Sequence, residues 1–303
     1  MATTVSLVLG SGGARGYAHI GVIEELIRRG YQIISVAGCS MGALVGGIYA
    51  AGALNDYRDW VCGLRWIDVV RLLDVTFSKG AIRGDKVFAK LEQLVGDPLI
   101  ESLPIKYTAV ATDITYQKEV WFQHGSLLRA MRASVAIPGF FTPVVHGEHV
   151  LVDGGVLNPL PIIPTVAAQA DLIIGVDLNA SQHPVTGTEL PSNIYLDRSG
   201  FTDDWPAPGS EAEKQMMGSG RRPMGSRLEG RLDILLSSVE VMQSSLTQYK
   251  VAGYPPDLII PVDKAICSFF EFHRAVEVIE AGRLAARVSL SRLERGTMPR
   301  SVT

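Results

Sequence analysis

From Gly30 to Asn55 the chain carries no charged residue, and this stretch restricts the fold more than any other. A hydropathy window would read it as a membrane span. Gly38, Gly42, Gly46, Gly47 and Gly52 interrupt it, and a buried strand followed by a buried helix accounts for it instead. Ile33 to Ala37 is a continuous apolar run of strand length. Gly38-Cys39-Ser40-Met41-Gly42 follows, and Ala43 to Ala51 reads as a core helix. Strand, sharp turn and helix around Gly-x-Ser-x-Gly is the setting of a nucleophile elbow. The turn is expected to hold Ser40 at a strained, exposed corner, at a helix N-terminus that favours developing negative charge. Gly38 and Gly42 are expected where strand and helix approach too closely for side chains. As a bare string the pattern also fits an inert glycine-rich turn, so the rest of the chain has to decide.

Upstream, Thr4 to Leu9 is a near-continuous apolar strand, as in a parallel sheet buried on both faces. Gly10-Ser11-Gly12-Gly13-Ala14-Arg15-Gly16 follows it. Ile20, Ile23, Leu26 and Ile27 then keep helical spacing until Gly30 ends the helix. Strand, glycine loop, helix, strand, elbow, helix is a βαβα start and predicts an α/β fold. Dinucleotide binding is not expected, because G-x-G-x-x-G fails at Arg15 and the second strand ends in Gly-Cys-Ser without an acid. A P-loop fails as well, since no Gly-Lys-Ser/Thr follows. Consecutive glycines at a helix start can instead converge bare N–H groups as an oxyanion hole, drawn from Gly10, Gly12, Gly13, Arg15 and Gly16. A flexible loop is the plainer alternative, and Arg15 reads as a loop-orienting or phosphate-neutralising group or as a surface arginine.

Further strands are expected at Tyr107–Asp113, Glu119–Phe122, Val144–Val145 with Val150–Val152, Asp171–Leu178 and Asp257–Val262. Further helices are expected after Gly84, after Ser126 and over 272–288, and Leu232, Leu235, Leu236, Val239, Met242 and Leu246 trace one helix face. Ala133 to Val144 is apolar but holds Pro138 and Pro143, so it is no long regular element. It reads as a wall of an acyl pocket or as core packing. Residues 181–231 form a loop-rich insertion whose Arg221, Arg222 and Arg227 suit a lid, a lipid-surface contact or a solvated loop. The tail 297–303 is expected to fray.

At 303 residues with 47% hydrophobic residues, one large domain with its core over about 5–180 and 232–290 is expected. A net charge of −3 leaves no footprint for nucleic acid. Cys39, Cys62 and Cys267 offer neither a disulfide framework nor metal spacing, and no secretory signal is visible, so a reducing, cytoplasmic setting is expected.

A serine nucleophile needs a base. None of His19, His124, His146, His149, His183 and His273 sits in a context that presents one; His19 reads as a packing residue and His273 as a helix-start residue. Asp153 ends a strand and enters the Gly154-Gly155 turn, and parallel α/β sheets gather such residues at the strands' carboxyl ends. Taken alone, an Asp-Gly turn is also a common hairpin signal.

Three motifs in order, Gly10–Gly16, Gly38-Cys39-Ser40-Met41-Gly42 and Asp153-Gly154-Gly155, together with Tyr17–Val22 and Ala133–Val144, resemble the patatin-like phospholipase family, and its bacterial members in particular. The resemblance covers about residues 5–180 and, more loosely, 257–285. It implies a three-layer α/β/α sandwich with a mostly parallel central sheet, related to cytosolic phospholipase A2. It also implies a Ser–Asp dyad without histidine, with Ser40 as nucleophile, Asp153 as base and the glycine-loop N–H groups as oxyanion hole. The implied substrates are acyl lipids or small esters, with no cofactor and no metal, and with peripheral contact at the inner face of the membrane. Acyl transfer or thioester cleavage on the same scaffold, and a quiet lipid-binding protein, are the alternatives.

Overall fold

The computed structural model describes residues 2–72, 75–76, 81–82, 84–180 and 231–296. The insertion expected over 181–230 and the tail from 297 lie outside the described residues. Contacts divide the chain into a main body, Met1–Ser181 with Met242–Thr303, and a second unit, Gln182–Val241.

The main body is built on one sheet. In chain order its first elements are β1 (Thr4–Leu9), α1 (Ala18–Arg28), β2 (Gln32–Cys39), α2 (Met41–Ala50), α3 (Leu54–Cys62) and α4 (Trp66–Leu72). A two-residue pair, β3 (Val75–Thr76) and β4 (Ala81–Ile82), precedes α5 (Asp85–Val95), β5 (Lys106–Asp113), β6 (Lys118–Phe122) and α6 (Leu127–Ser134). Then come β7 (Val144–His146), β8 (His149–Asp153), α7 (Ile163–Val166), β9 (Leu172–Ala180), α8 (Arg231–Gly253), β10 (Leu258–Asp263) and α9 (Ala275–Glu294). The sheet order is β10-β9-β1-β2-β5-β8-β7, with β6 paired to β5. The five strands from β10 to β5 are parallel, whereas β6, β7 and β8 pair antiparallel. The sheet is therefore mostly parallel and flanked by helices.

Alternation along β1 shows how the layers form. Val5, Leu7 and Leu9 enter the main core with residues of α1, α2 and α9. Val8 points to the opposite face, where it meets Leu160 and Ile162, with Val251 of α8 packed against them. The uncharged stretch resolves into β2 and α2 packed on each other. Among the described residues, no helix is long and apolar enough to cross a membrane. In the main-body part of α8, Met242 of the apolar face is 57% exposed, whereas Gln243 and Thr247 are buried. The helix is held there partly by polar contacts, such as Lys250 Nζ donating to Glu119 Oε1 at 2.7 Å.

Candidate active site

Strand β5 is the template that joins two distant segments. Along one edge it pairs Val110 with Cys39 of β2 and the next residue, Ala111, with Asp153 of β8. Because β2 runs parallel to β5 and β8 antiparallel, their carboxyl ends meet head-on. Cys39 and Asp153, 114 residues apart in the chain, thus become neighbours, and Ser40 follows directly.

The elbow is as tight as its glycines imply. A Cβ on Gly38 would lie 2.4 Å from the backbone of Gly42, and one on Gly42 would lie 2.1 Å from the Leu9 carbonyl. These approaches are far below van der Waals contact, so α2 starts against β1 and β2 only because both positions lack side chains. Ser40 takes φ 56°, ψ −127°, a conformation that side chains rarely adopt. Its corner is strained but not exposed: Ser40 retains 1% accessibility, at the bottom of a cavity it shares with Gly13, Val135, Ile137 and Phe141. The Ser40 N–H donates to Ser134 Oγ at 2.9 Å, and that hydroxyl donates to the Val110 carbonyl at 2.6 Å. Ser134 thereby clamps the elbow to β5. It sits in the apolar stretch before Pro138, where no sequence pattern sets it apart. Ser134→Ala leaves a buried N–H and a buried carbonyl unpaired and is expected to cost about 1–3 kcal/mol in urea denaturation.

Asp153 is 3% exposed. Its Oδ1 accepts from the Gly155 N–H at 2.7 Å and from the Cys39 thiol at 3.7 Å. The Ser40 hydroxyl is near enough to hold the Asp153 pKa down, yet Oδ2 completes no well-aligned hydrogen bond. Catalytic hydrogen bonds are commonly loose before substrate arrives. Burial outweighs these donors and pushes the Asp153 pKa up to about 6. Gly154 is required here, since a Cβ would lie 2.1 Å from the Val110 carbonyl. At Gly155 a Cβ would meet Gln243 Nε2 at 2.4 Å and Ser11 Oγ at 3.0 Å, so both polar groups pack against the turn. Ser11 belongs to the Gly10–Gly16 motif, whereas Gln243 was not flagged by the sequence, because it is an ordinary polar residue in a helix pattern.

The glycine loop divides into two roles. Gly10 N–H is committed to the Val176 carbonyl, Ala14 N–H to Phe269 and Arg15 N–H to Gly12. Gly10 and Arg15 therefore cannot donate to an oxyanion as the sequence suggested. Gly16 packs at 2.3 Å, measured from its would-be Cβ, against Met41. Among the described residues, the N–H groups of Gly12 and Gly13 have no backbone acceptor, and Gly13 shares a cavity with Ser40. Gly13 has φ +56° and no room for a side chain beside Phe269. Arg15 is no surface residue: it is 2% exposed and its Nε donates to the Gly12 carbonyl at 3.1 Å. Its charge lies near Asp177 and lowers that carboxyl's pKa, although burial keeps Asp177 above the ordinary range. His19 Nε2 donates to the Gly10 carbonyl at 2.8 Å. Burial lowers its pKa to about 4, so the ring is neutral and pins the loop to α1. His149 pairs with Asp113 at 2.6 Å at the hairpin, and His273 lies on the turn before α9. Among the described residues, no histidine lines the Ser40 cavity.

That cavity has a volume of about 80 Å³ and is partly open to solvent. It runs from Gly13, Ser40 and Met41 between apolar walls that include Leu44, Leu91, Val135 and Phe141. The Ala133–Val144 segment does form one wall. Tyr17 and Tyr57 also line it, their rings tilted with centroids 6.4 Å apart.

Residues 7–166 match the family model for patatin-like phospholipase. An uncharacterized NTE family protein of Mycobacterium tuberculosis is 40% identical, over 96% of this chain and 92% of its own length. The mouse patatin-like phospholipase domain-containing protein 6 is 32% identical over 58% of this chain and 14% of its own. Among solved structures, VipD from Legionella pneumophila superposes with a TM-score of 0.52 at 16% identity, covering 95% of this chain and 67% of that one; that likeness speaks to the fold. The ordered motifs, the sheet that joins them and these matches agree: the chain belongs to the patatin-like phospholipase family, a family of lipid ester hydrolases.

Proposed function

We propose that the protein is a serine acyl hydrolase that cleaves carboxylic esters of lipids through a Ser40–Asp153 dyad. The observation that carries this reading is the meeting of two strand ends on β5, which sets a buried carboxyl beside a strained serine at the head of an apolar cavity. Asp153 Oδ2 accepts the Ser40 proton as Oγ attacks the ester carbonyl carbon. The carbonyl oxygen becomes an oxyanion and is held by the Gly12 and Gly13 N–H groups and the start of α2. The tetrahedral adduct collapses, the alcohol leaves with the proton carried by Asp153, and an acyl ester on Ser40 remains. Water then gives its proton to Asp153, attacks the acyl carbon and releases the fatty acid, with the proton returned to Ser40. A pKa of about 6 suits this work, because the carboxylate is mostly ionised at neutral pH yet far more basic than an ordinary aspartate. No cofactor or metal enters the scheme, and lipid is the proposed partner, with peripheral contact at a membrane surface. The expected setting remains cytoplasmic.

The test is hydrolysis of p-nitrophenyl esters of graded acyl length, with labelling of Ser40 by a fluorophosphonate. Each methylene buried in the cavity contributes about 0.8 kcal/mol. Consequently, kcat/KM is expected to climb by roughly fourfold per methylene until the walls are filled, and then to level off. A flat or falling dependence on chain length, or labelling unaffected by Ser40→Ala, would refute the reading.

A further inference from the structure

Helix α4 is apolar on two sides. Val69 is buried, and with Leu64 before the helix and Leu72 at its end it forms part of the Ser40 cavity wall. The other side presents Trp66, Ile67 and Val70, which are 63%, 42% and 41% exposed. A surface helix normally turns polar residues outward, and a contiguous apolar patch in water marks a contact surface. Cations flank this patch. The Arg65 side chain is 78% exposed, Arg71 is exposed at the far end, and Lys86 Nζ of α5 donates to the Arg71 carbonyl at 3.3 Å. The acids nearby are Asp68, paired with Arg65 at 3.2 Å, and Asp85 at the start of α5, which faces Arg132.

We propose that the outer side of α4 docks the protein on an anionic phospholipid bilayer. Tryptophan favours the headgroup level, where its ring is half in apolar surroundings, and flanking Arg and Lys suit anionic lipid. Continuity with the cavity selects a bilayer over a protein or a second copy of this chain. A protein partner would account for Trp66, Ile67 and Val70 alone. A bilayer accounts for both sides of one short helix, since an acyl chain leaving the lipid tails meets Leu64, Val69 and Leu72 without crossing water. The purpose of the surface rests on the acyl-hydrolase reading, but binding is measured without turnover.

The Ser40→Ala protein is mixed with vesicles of phosphatidylcholine, alone or equimolar with phosphatidylglycerol, and the bound fraction is read by flotation. Binding is expected to the anionic vesicles, weakened by added salt. A Trp66→Ser/Ile67→Ser variant is expected to lower the partition coefficient by about tenfold or more. In the active background the same double variant is expected to leave kcat/KM on a short, monomeric p-nitrophenyl ester within about twofold while hydrolysis of vesicle lipid falls with binding. Equal binding by both proteins, or no partition at millimolar lipid, overturns the proposal. So does a change of oligomeric state in the double variant, seen by light scattering, which assigns the patch to a second copy. Trp66-dependent vesicle binding without any esterase activity keeps the docking surface and removes the hydrolase reading instead.

Discussion

Asp153→Asn is expected to abolish ester hydrolysis and, at the same pH, to raise the melting temperature. The loss of activity follows from removing the carboxyl that, among the described residues, lies beside Ser40; a general base of this kind contributes on the order of 10²–10⁴ in rate. The gain in stability follows from linkage. The folded-state pKa is raised to about 6 from an ordinary value of 3.8, and burial is the chief cause. A carboxyl that binds its proton more tightly when folded lowers stability once it ionises. The cost is absent below about pH 3.8, grows between the two values and is complete above about pH 6. At pH 8 it amounts to roughly 3 kcal/mol, which is several degrees in melting temperature for a domain of this size. Asparagine keeps an oxygen for the Gly155 N–H but carries no charge. The difference in melting temperature between variant and parent should therefore widen from pH 5 to pH 8. Parent kcat/KM should fall below an apparent pKa of about 6, tenfold per pH unit, as the base is protonated. A variant that is less stable at pH 8 than the parent would show that Asp153 is held by compensating charge and is no strained base.

The first four elements were legible because each rests on local physics. Apolar runs of strand length, helical spacing at Ile20, Ile23 and Leu26, and glycines at Gly10, Gly30, Gly38 and Gly42 need no tertiary information. The hairpin of β7 and β8 and its Asp153 terminus were readable for the same reason. Their union was not. It depends on β5 pairing with β2 up to Val110 and with β8 from Ala111, a register that no window around either motif contains. Burial was misread at Ser40, because polarity predicts exposure unless a partner is known; for Arg15 the sequence left a loop-orienting and a surface role open, since the Gly12 carbonyl that takes its Nε is invisible in sequence. The same blindness hid Ser134 and Gln243. It also enlarged the glycine loop's donor set: only the fold reveals that Gly10 N–H is used by Val176. The inward side of α8 was not legible either: apolar spacing marks one face, while the fold there turns Gln243 and Thr247 inward.

Ser40→Gly and Ser40→Ala are both expected to be inactive, with kcat lowered on the order of 10⁵-fold or more, but they should not be equally stable. At φ 56°, ψ −127° the backbone of residue 40 sits where any Cβ is unwelcome, at a cost of about 1–3 kcal/mol. Alanine keeps that strain. Glycine removes it, and gives back about 0.4–1 kcal/mol through the greater freedom of its unfolded chain. The glycine variant should therefore exceed the alanine variant by about 1–2 kcal/mol in urea denaturation, although neither loses a hydroxyl-mediated contact that the other keeps. The Ser134 clamp and the would-be collisions at Gly38 and Gly42 explain why the elbow cannot relax by itself: the N–H of residue 40 is tied to Ser134 Oγ and α2 is wedged against β1. If the two variants unfold at the same urea concentration, the turn stores no strain, and the hydroxyl is aimed into the cavity by packing alone. If glycine is the more stable, then Ser40, like Asp153, is a position where the fold gives up stability to hold a reactive group in place.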